Sequence, residues 1–217
     1  MERESIEYDV VVVGGGPSGL ASACKLKQLN QNLSVCLLEK GSEIGSHIIS
    51  GAVFEPETLF DLFPEEASSC PTLNTPVKRD DVYFLTGSNK SIKVPSWLTP
   101  KGLHNNGNYL ISLGELCQWI GERAIELGVD IFPGFPAQNY LLDKSGRVCG
   151  IATGDMGLDK QGNQKGNWTP GMDIYAKQTI FAEGSRGHLG KQLIKEFNLD
   201  DSFISENFNE YINQYIK

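Results

Sequence analysis

Asp9-Val10-Val11-Val12-Val13-Gly14-Gly15-Gly16-Pro17-Ser18-Gly19 joins a short apolar run to a glycine-rich turn. The run is continuous and β-branched, the pattern of a parallel strand buried on both faces. Pro17 to about Leu29 reads as a helix, with Leu20, Ala21, Ala23, Cys24 and Leu29 available to pack inward. Ser34-Val35-Cys36-Leu37-Leu38-Glu39 reads as a second buried strand. Strand, glycine turn, helix and strand make a βαβ unit. Gly14, Gly16 and Gly19 fall at the glycines of G-x-G-x-x-G. The first permits the tight turn. The second lets backbone N–H groups approach a pyrophosphate, and the third lets helix and strand pack closely. The helix N-terminus, opened by Pro17 and Ser18, adds partial positive charge for phosphate. Glu39 ends the next strand about 20 residues beyond Gly19, where an acid accepts hydrogen bonds from an adenosine ribose. Its carboxylate would repel a 2′-phosphate, so NADP does not suit this loop.

Beyond the βαβ unit, residues 41–107 read as irregular, with short strands such as Val82-Tyr83-Phe84-Leu85. Ser112 to Leu127 reads as a helix. Ser112 and Glu115 match a capping box, and Gly128 is placed to end it. Val129-Asp130-Ile131-Phe132 follows as a third parallel strand. Residues 139–143 and 148–153 form a predicted hairpin around Lys144-Ser145-Gly146. The polar stretch 154–171 reads as a loop. Asp173 to Lys177 reads as one more meander strand, and Thr179-Ile180-Phe181-Ala182 as a separate parallel strand closing on Glu183-Gly184. A helix from about His188 to Phe197 ends the pattern. The tail 200–217 reads as a short helix or a frayed end. The expected fold class is α/β, a Rossmann-like FAD-binding domain of the glutathione-reductase type. It combines a parallel sheet, a β-meander and an inserted irregular or β region. The strand ending at Glu183-Gly184 after a meander is what favours FAD over NAD. An ordinary strand-to-helix turn is the alternative.

Composition narrows the function. The chain has 217 residues, 40% hydrophobic and 21% charged, as soluble globular proteins do. Its net charge of -8 argues against a surface that tracks nucleic-acid phosphates. The five cysteines are scattered and form no C-x-x-C, so no zinc or iron–sulfur ligand set is visible. They read as buried, reduced thiols. Only a polar segment, Met1 to Tyr8, precedes the expected first strand, and no targeting peptide is visible. No apolar run reaches the ~18 residues of a spanning helix.

Further candidate residues flank the loop. Lys40 follows Glu39 and leads into Gly45-Ser46-His47-Ile48-Ile49-Ser50-Gly51-Ala52. Ser50 and Gly51 offer N–H and hydroxyl groups to a flavin ring, which would tune its potential. His47 is a proton-donor candidate or a loop histidine bonded to backbone or water. Gly184 would bring backbone near the adenine side. Arg186 would neutralise phosphate, or is a surface arginine. Asp155 in Gly154-Asp155-Met156-Gly157 lacks the spaced ligands of a calcium loop, which favours a plain turn. No catalytic side chain is assigned.

Several segments together are similar to electron transfer flavoprotein-ubiquinone oxidoreductases. They include Gly14-Gly15-Gly16-Pro17-Ser18-Gly19-Leu20 and Glu39 through Val53. They also include Leu73-Asn74-Thr75-Pro76-Val77, Tyr83 through Thr86, Ser91 through Pro95 and His104-Asn105-Asn106-Gly107-Asn108-Tyr109. Gly150 through Gly157 and Phe181 through Leu193 are the most distinctive. The resemblance runs from about Glu2 to Leu199. It implies FAD, a 4Fe-4S cluster and a quinone site on a membrane-associated protein. Electrons would pass singly from electron transfer flavoprotein to ubiquinone. It implies peripheral attachment to a bacterial cytoplasmic or mitochondrial inner membrane.

On that resemblance, residues 1–199 are the FAD-binding portion: the βαβ motif at 1–41, an inserted quinone- and flavin-side segment at 42–111, and the continuing FAD domain at 112–199. Residues 200–217 diverge from the family. The family carries a further flavin-contacting Gly-Asp motif, membrane-facing quinone segments and a cysteine-rich cluster domain, none of which occurs in these 217 residues. The chain is therefore expected to be a truncated amino-terminal portion, inactive alone and at best a weak FAD binder. The alternatives are a flavin-binding fragment without activity, and another FAD oxidoreductase of this fold, such as a geranylgeranyl reductase-like enzyme.

Overall fold

A computed structural model describes residues 3–159, 161–185 and 187–199. Two compact units partition the chain, one formed by residues 1–44 with 120–217 and the other by residues 45–119. Arg186 and the tail 200–217 lie outside the described residues.

The first unit opens with β1 (Ser5–Val13), α1 (Pro17–Leu29) and β2 (Val35–Glu39). The second holds β3 (Gly51–Phe54), α2 (Glu57–Leu62), β4 (Tyr83–Gly87), β5 (Lys90–Lys93) and β6 (Tyr109–Ser112). The helix α3 (Leu113–Glu126) is divided between the two units at Trp119 and Ile120. The first unit then continues through β7 (Asp130–Pro133), β8 (Ala137–Leu142), β9 (Val148–Thr153), β10 (Met156–Leu158), β11 (Gln164–Thr169), β12 (Asp173–Phe181) and α4 (His188–Glu196).

Six strands form the main sheet in the order β7-β2-β1-β12-β9-β8. The pairs β7/β2, β2/β1 and β1/β12 are parallel, and β12/β9 and β9/β8 are antiparallel. This is the expected α/β architecture, a parallel sheet continued by a meander. Central position explains the unbroken apolar run. Val10 to Val13 are each buried, because both faces of β1 are covered. On one face Val11, Val13, Cys36, Leu38, Ile151 and Ile174 cluster with Leu189 of α4. The buried Leu20, Ala23 and Cys24 belong to α1. Lys27, in the last turn of α1, donates from its ammonium to the carbonyls of Gln31 at 2.7 Å and Leu33 at 2.9 Å in the connection to β2. Burial also raises the thiols of Cys24 and Cys36 to about 12. Cys24, Cys36, Cys70 and Cys117 are buried and Cys149 is half-buried, and none of the five is in a disulfide.

Four expectations change. First, β1 begins at Ser5, inside the polar segment thought to precede it, because Ser5 to Tyr8 pair with Asp173 to Ala176. Second, 173–177 and 179–182 are not separate strands. β12 is continuous, and the polar Lys177 and Gln178 that suggested a break stay exposed while Lys177 donates to Asp9 at 2.7 Å. Third, the stretch 154–171 is not simply loop. β10 and β11 form an antiparallel hairpin whose exposed faces demand no apolar alternation. Asp155 in it accepts from Arg3 at 3.2 Å and from the Gly171 N–H at 2.9 Å. Fourth, the region 41–107 is more ordered than it reads. β3 pairs with β6, and β4 with β5. The Ser112 hydroxyl accepts the Glu115 N–H at 3.3 Å, as a capping box requires. The Ser112 N–H, however, goes to the Thr72 hydroxyl at 3.2 Å.

Candidate functional site

The turn between β1 and α1 is held by its neighbours on both sides. Gly14 donates its N–H to Leu38 in β2 at 2.8 Å, and Ala182 after β12 donates to Val13 at 2.8 Å. Gly14 has φ +111°, and a Cβ there would lie 2.4 Å from the Ala182 carbonyl oxygen. A Cβ on Gly19 would lie 2.0 Å from the Gly14 oxygen. Both positions therefore admit only glycine.

Gly16 is different. A Cβ there would meet nothing within 4 Å. It is the N-cap of α1, with no side chain capping that end, no acid in the first turn and Pro17 at the start of the helix. Pro17 supplies no N–H, so the donors left at this end belong to backbone such as that of Ser18 and Gly19. Open space before an uncapped helix N-terminus suits a phosphate, which finds N–H donors and partial positive charge together. These residues fit the pyrophosphate of a dinucleotide.

Glu39 stands beside this opening. One carboxylate oxygen accepts the Gly15 N–H at 2.8 Å, and the other accepts the Gly41 N–H at 2.7 Å. The side chain is thus pinned by backbone from both flanks before any ligand arrives. A carboxylate oxygen can accept more than one hydrogen bond, as contact with ribose hydroxyls would require. The pinning also explains Gly15, whose Cβ would come 3.0 Å from Glu39 Oε2 and 2.6 Å from Ile44. The G-x-G-x-x-G spacing assigns no role to Gly15. The signal that it is more was the run of three consecutive glycines.

The other candidates fall in different places. Lys40 is exposed at the end of β2, and Gly184 is exposed at φ +78° just after β12. The first unit thus brings Gly14, Gly16, Pro17, Ser18, Gly19 and Glu39 around one turn. His47, Ser50 and Gly51 belong to the second unit and are exposed, Gly51 opening β3 opposite Ser112. Near them, Gly45 has φ +83° and its Cβ would lie 2.5 Å from the Gly114 oxygen. Arg186 lies outside the described residues. A residue that sequence reading passed over is Glu183, taken only as part of a turn. Its carboxylate accepts three backbone N–H groups of α4.

The family model for an NAD(P)-binding Rossmann-like domain matches residues 12–65. Among solved structures, a geranylgeranyl bacteriochlorophyll reductase-like protein from Thermoplasma acidophilum matches with a TM-score of 0.60 at 23% identity, over 86% of this chain and 42% of that one. The myxobacterial FAD-dependent halogenase CndH matches with a TM-score of 0.59 at 18% identity, over 85% of this chain and 39% of that one. At such identities these likenesses establish the fold. Sequence similarity reaches further. The chain is 54% identical over 213 residues to electron transfer flavoprotein-ubiquinone oxidoreductase of Pseudomonas aeruginosa, covering 96% of this chain and 39% of that protein. It is 44% identical over 204 residues to the mitochondrial protein of that name from Bos taurus, covering 92% and 33%. Along nearly its whole length, then, the chain is similar to electron transfer flavoprotein-ubiquinone oxidoreductases, of whose length it spans about a third.

Proposed function

We propose that this chain is the FAD-binding portion of an electron transfer flavoprotein-ubiquinone oxidoreductase, with Gly14 to Gly19 and Glu39 holding the ADP half of FAD. The observation that carries the proposal is the open, uncapped start of α1 beside the doubly pinned Glu39. FAD, when bound, supplies one-electron and two-electron redox states, which suits transfer from electron transfer flavoprotein to ubiquinone. The protein's own part is to bind and orient. The α1 N-terminus takes the pyrophosphate, Glu39 takes the ribose and disfavours a 2′-phosphate, and Lys40 lends positive charge, while Arg186 is assigned from sequence alone as a phosphate-neutralising residue. Gly184 gives backbone access on the adenine side, while His47, Ser50 and Gly51 are assigned to the flavin side. The 4Fe-4S cluster that the resemblance implies is not assigned to any of these residues. Among the described residues no group of three or more metal-ligating side chains is found.

The isolated 217-residue chain should show at most substoichiometric flavin absorbance, no iron and no quinone reduction. A full complement of tightly bound flavin with steady-state quinone reduction would overturn the view that this is one portion of a larger catalyst.

Membrane attachment is the second element of the proposal. Among the described residues no helix is long and apolar enough to cross a bilayer. The second unit does expose Phe84, Leu85, Ile92, Trp97, Leu98 and Leu103, with Trp97 84% and Leu85 75% accessible. Lys90, Lys93 and Lys101 lie among them in sequence. Exposed apolar side chains close together in sequence, with interleaved lysines, suit the interfacial zone of a membrane. The chain should sediment with phosphatidylcholine vesicles containing a minor anionic lipid, and a Phe84→Ser, Leu85→Ser, Trp97→Ser variant should remain in the supernatant. Equal partitioning of the two would refute lipid contact through this surface.

A further inference from the structure

Glu183 follows Ala182 just past the end of β12, and its side chain turns onto the first turn of α4. Oε1 accepts the N–H of His188 at 3.0 Å and of Leu189 at 3.2 Å, and Oε2 accepts that of Gly190 at 2.8 Å. These are donors that a helix start leaves without intrahelical partners. Gly187, the N-cap residue of α4, has no side chain to serve them. Its lack of one is required, because a Cβ there would lie 2.7 Å from the Glu183 Cβ. The two helix starts in this unit are therefore treated oppositely. That of α1 is left open, and that of α4 is closed by an internal carboxylate.

The same strand end shapes the glycine turn. Ala182 donates to Val13, its carbonyl oxygen limits Gly14, and its Cβ would lie 3.2 Å from a Cβ on Gly19. Leu189, one of the residues whose N–H Glu183 accepts, is fully buried in the cluster with Val11, Val13 and Leu38. A chain of contacts thus runs from α4 through Glu183 to Ala182 and on to Gly14 and Gly19. Every link is backbone or a fully engaged carboxylate, so little slack is left in it.

We infer that Glu183 is a positioning residue for the dinucleotide turn: by fixing the first turn of α4 it holds Ala182 against Gly14 and Gly19, and so sets the spacing of the N–H groups offered to the pyrophosphate. This rests on the ADP-binding reading above. Glu183 itself need not touch the cofactor.

The test measures FAD dissociation constants by flavin fluorescence for the full chain and for Glu183→Ala, Glu183→Gln and Val129→Ala, a buried position ahead of β7 and outside the cluster that holds Leu189. Glu183→Ala should weaken FAD binding about tenfold, which is about 1.4 kcal/mol. It should also speed amide hydrogen exchange at Gly14 and Gly15 without ligand. Glu183→Gln keeps one acceptor oxygen and should lose about threefold. Val129→Ala should lower the melting temperature yet leave FAD affinity unchanged. If Glu183→Ala melts lower but binds FAD and exchanges amides as the unmodified chain does, Glu183 is only a helix cap and the inference fails. If Glu183→Ala does not fold, unchanged affinity in Glu183→Gln overturns it equally. Should the unmodified chain bind neither FAD nor ADP, the ADP-site reading falls, and this inference with it.

Discussion

Replacing Gly16 by valine is expected to raise the FAD dissociation constant at least ~100-fold while moving the melting temperature by no more than about 3 °C. The two effects separate because of where a side chain would go. Gly16 sits at an ordinary φ of -81°, and a Cβ on it meets no atom of the described residues within 4 Å. The folded chain therefore has room for valine. Losing glycine at an N-cap costs only a fraction of a kcal/mol to about 1 kcal/mol. The space that valine fills is the space the pyrophosphate needs to reach the α1 N-terminus. Calorimetry of both proteins with a flavin titration checks both halves. Undiminished FAD affinity would mean that the pyrophosphate lies elsewhere.

Gly19→Ala should do the reverse and damage the fold itself. Helix propensity favours alanine over glycine by about 1 kcal/mol. Against that stands a Cβ placed 2.0 Å from the Gly14 carbonyl oxygen, a backbone atom that cannot swing aside. Overpacking of this kind costs about 1–3 kcal/mol or more, so the clash outweighs the propensity. In a chain of this size each kcal/mol is worth about 2–4 °C. Thermal unfolding should show a net drop of about 5 °C, with β1 and α1 pushed apart. A higher melting temperature would show that helix propensity wins and that the close approach of α1 to the strand is not a constraint.

The βαβ unit was legible because each of its constraints is local. Val10 to Val13 declare a strand covered on both faces, Gly14 a left-handed turn, Pro17 a helix start and Glu39 a strand end. Each statement needs only a few neighbours. What was misread depended on distant partners. The strand at Gly51 exists because Ser112 and its neighbours lie opposite. The N–H of Ser112 is taken by Thr72, 40 positions away, where a capping box would assign it to Glu115. Lys177 and Gln178 interrupt an apolar pattern without interrupting β12, since Gln178 pairs with Val10 in register.

The site shows the same division. Glycines 14, 16 and 19 and Glu39 could be named from spacing alone. That Glu39 is anchored at both carboxylate oxygens by Gly15 and Gly41 could not, because it depends on how the chain curls after β2. Nor could the role of Glu183, whose three donors lie five to seven positions ahead across an irregular turn. Residues 47–51 were assigned to the flavin ring from the N–H, hydroxyl and imidazole groups they offer, and in the structure they belong to the other compact unit.

Competition for bound FAD tests the central claim most directly. The account places recognition in this chain on the ADP half, so ADP should displace FAD from the 217-residue protein. FMN should not displace it at the same concentrations. ADP bearing a 2′-phosphate should compete far more weakly than ADP, because Glu39 holds its carboxylate at the ribose. Displacement by FMN with no effect of ADP would contradict the account, and would move the cofactor away from Gly14 to Gly19 and Glu39.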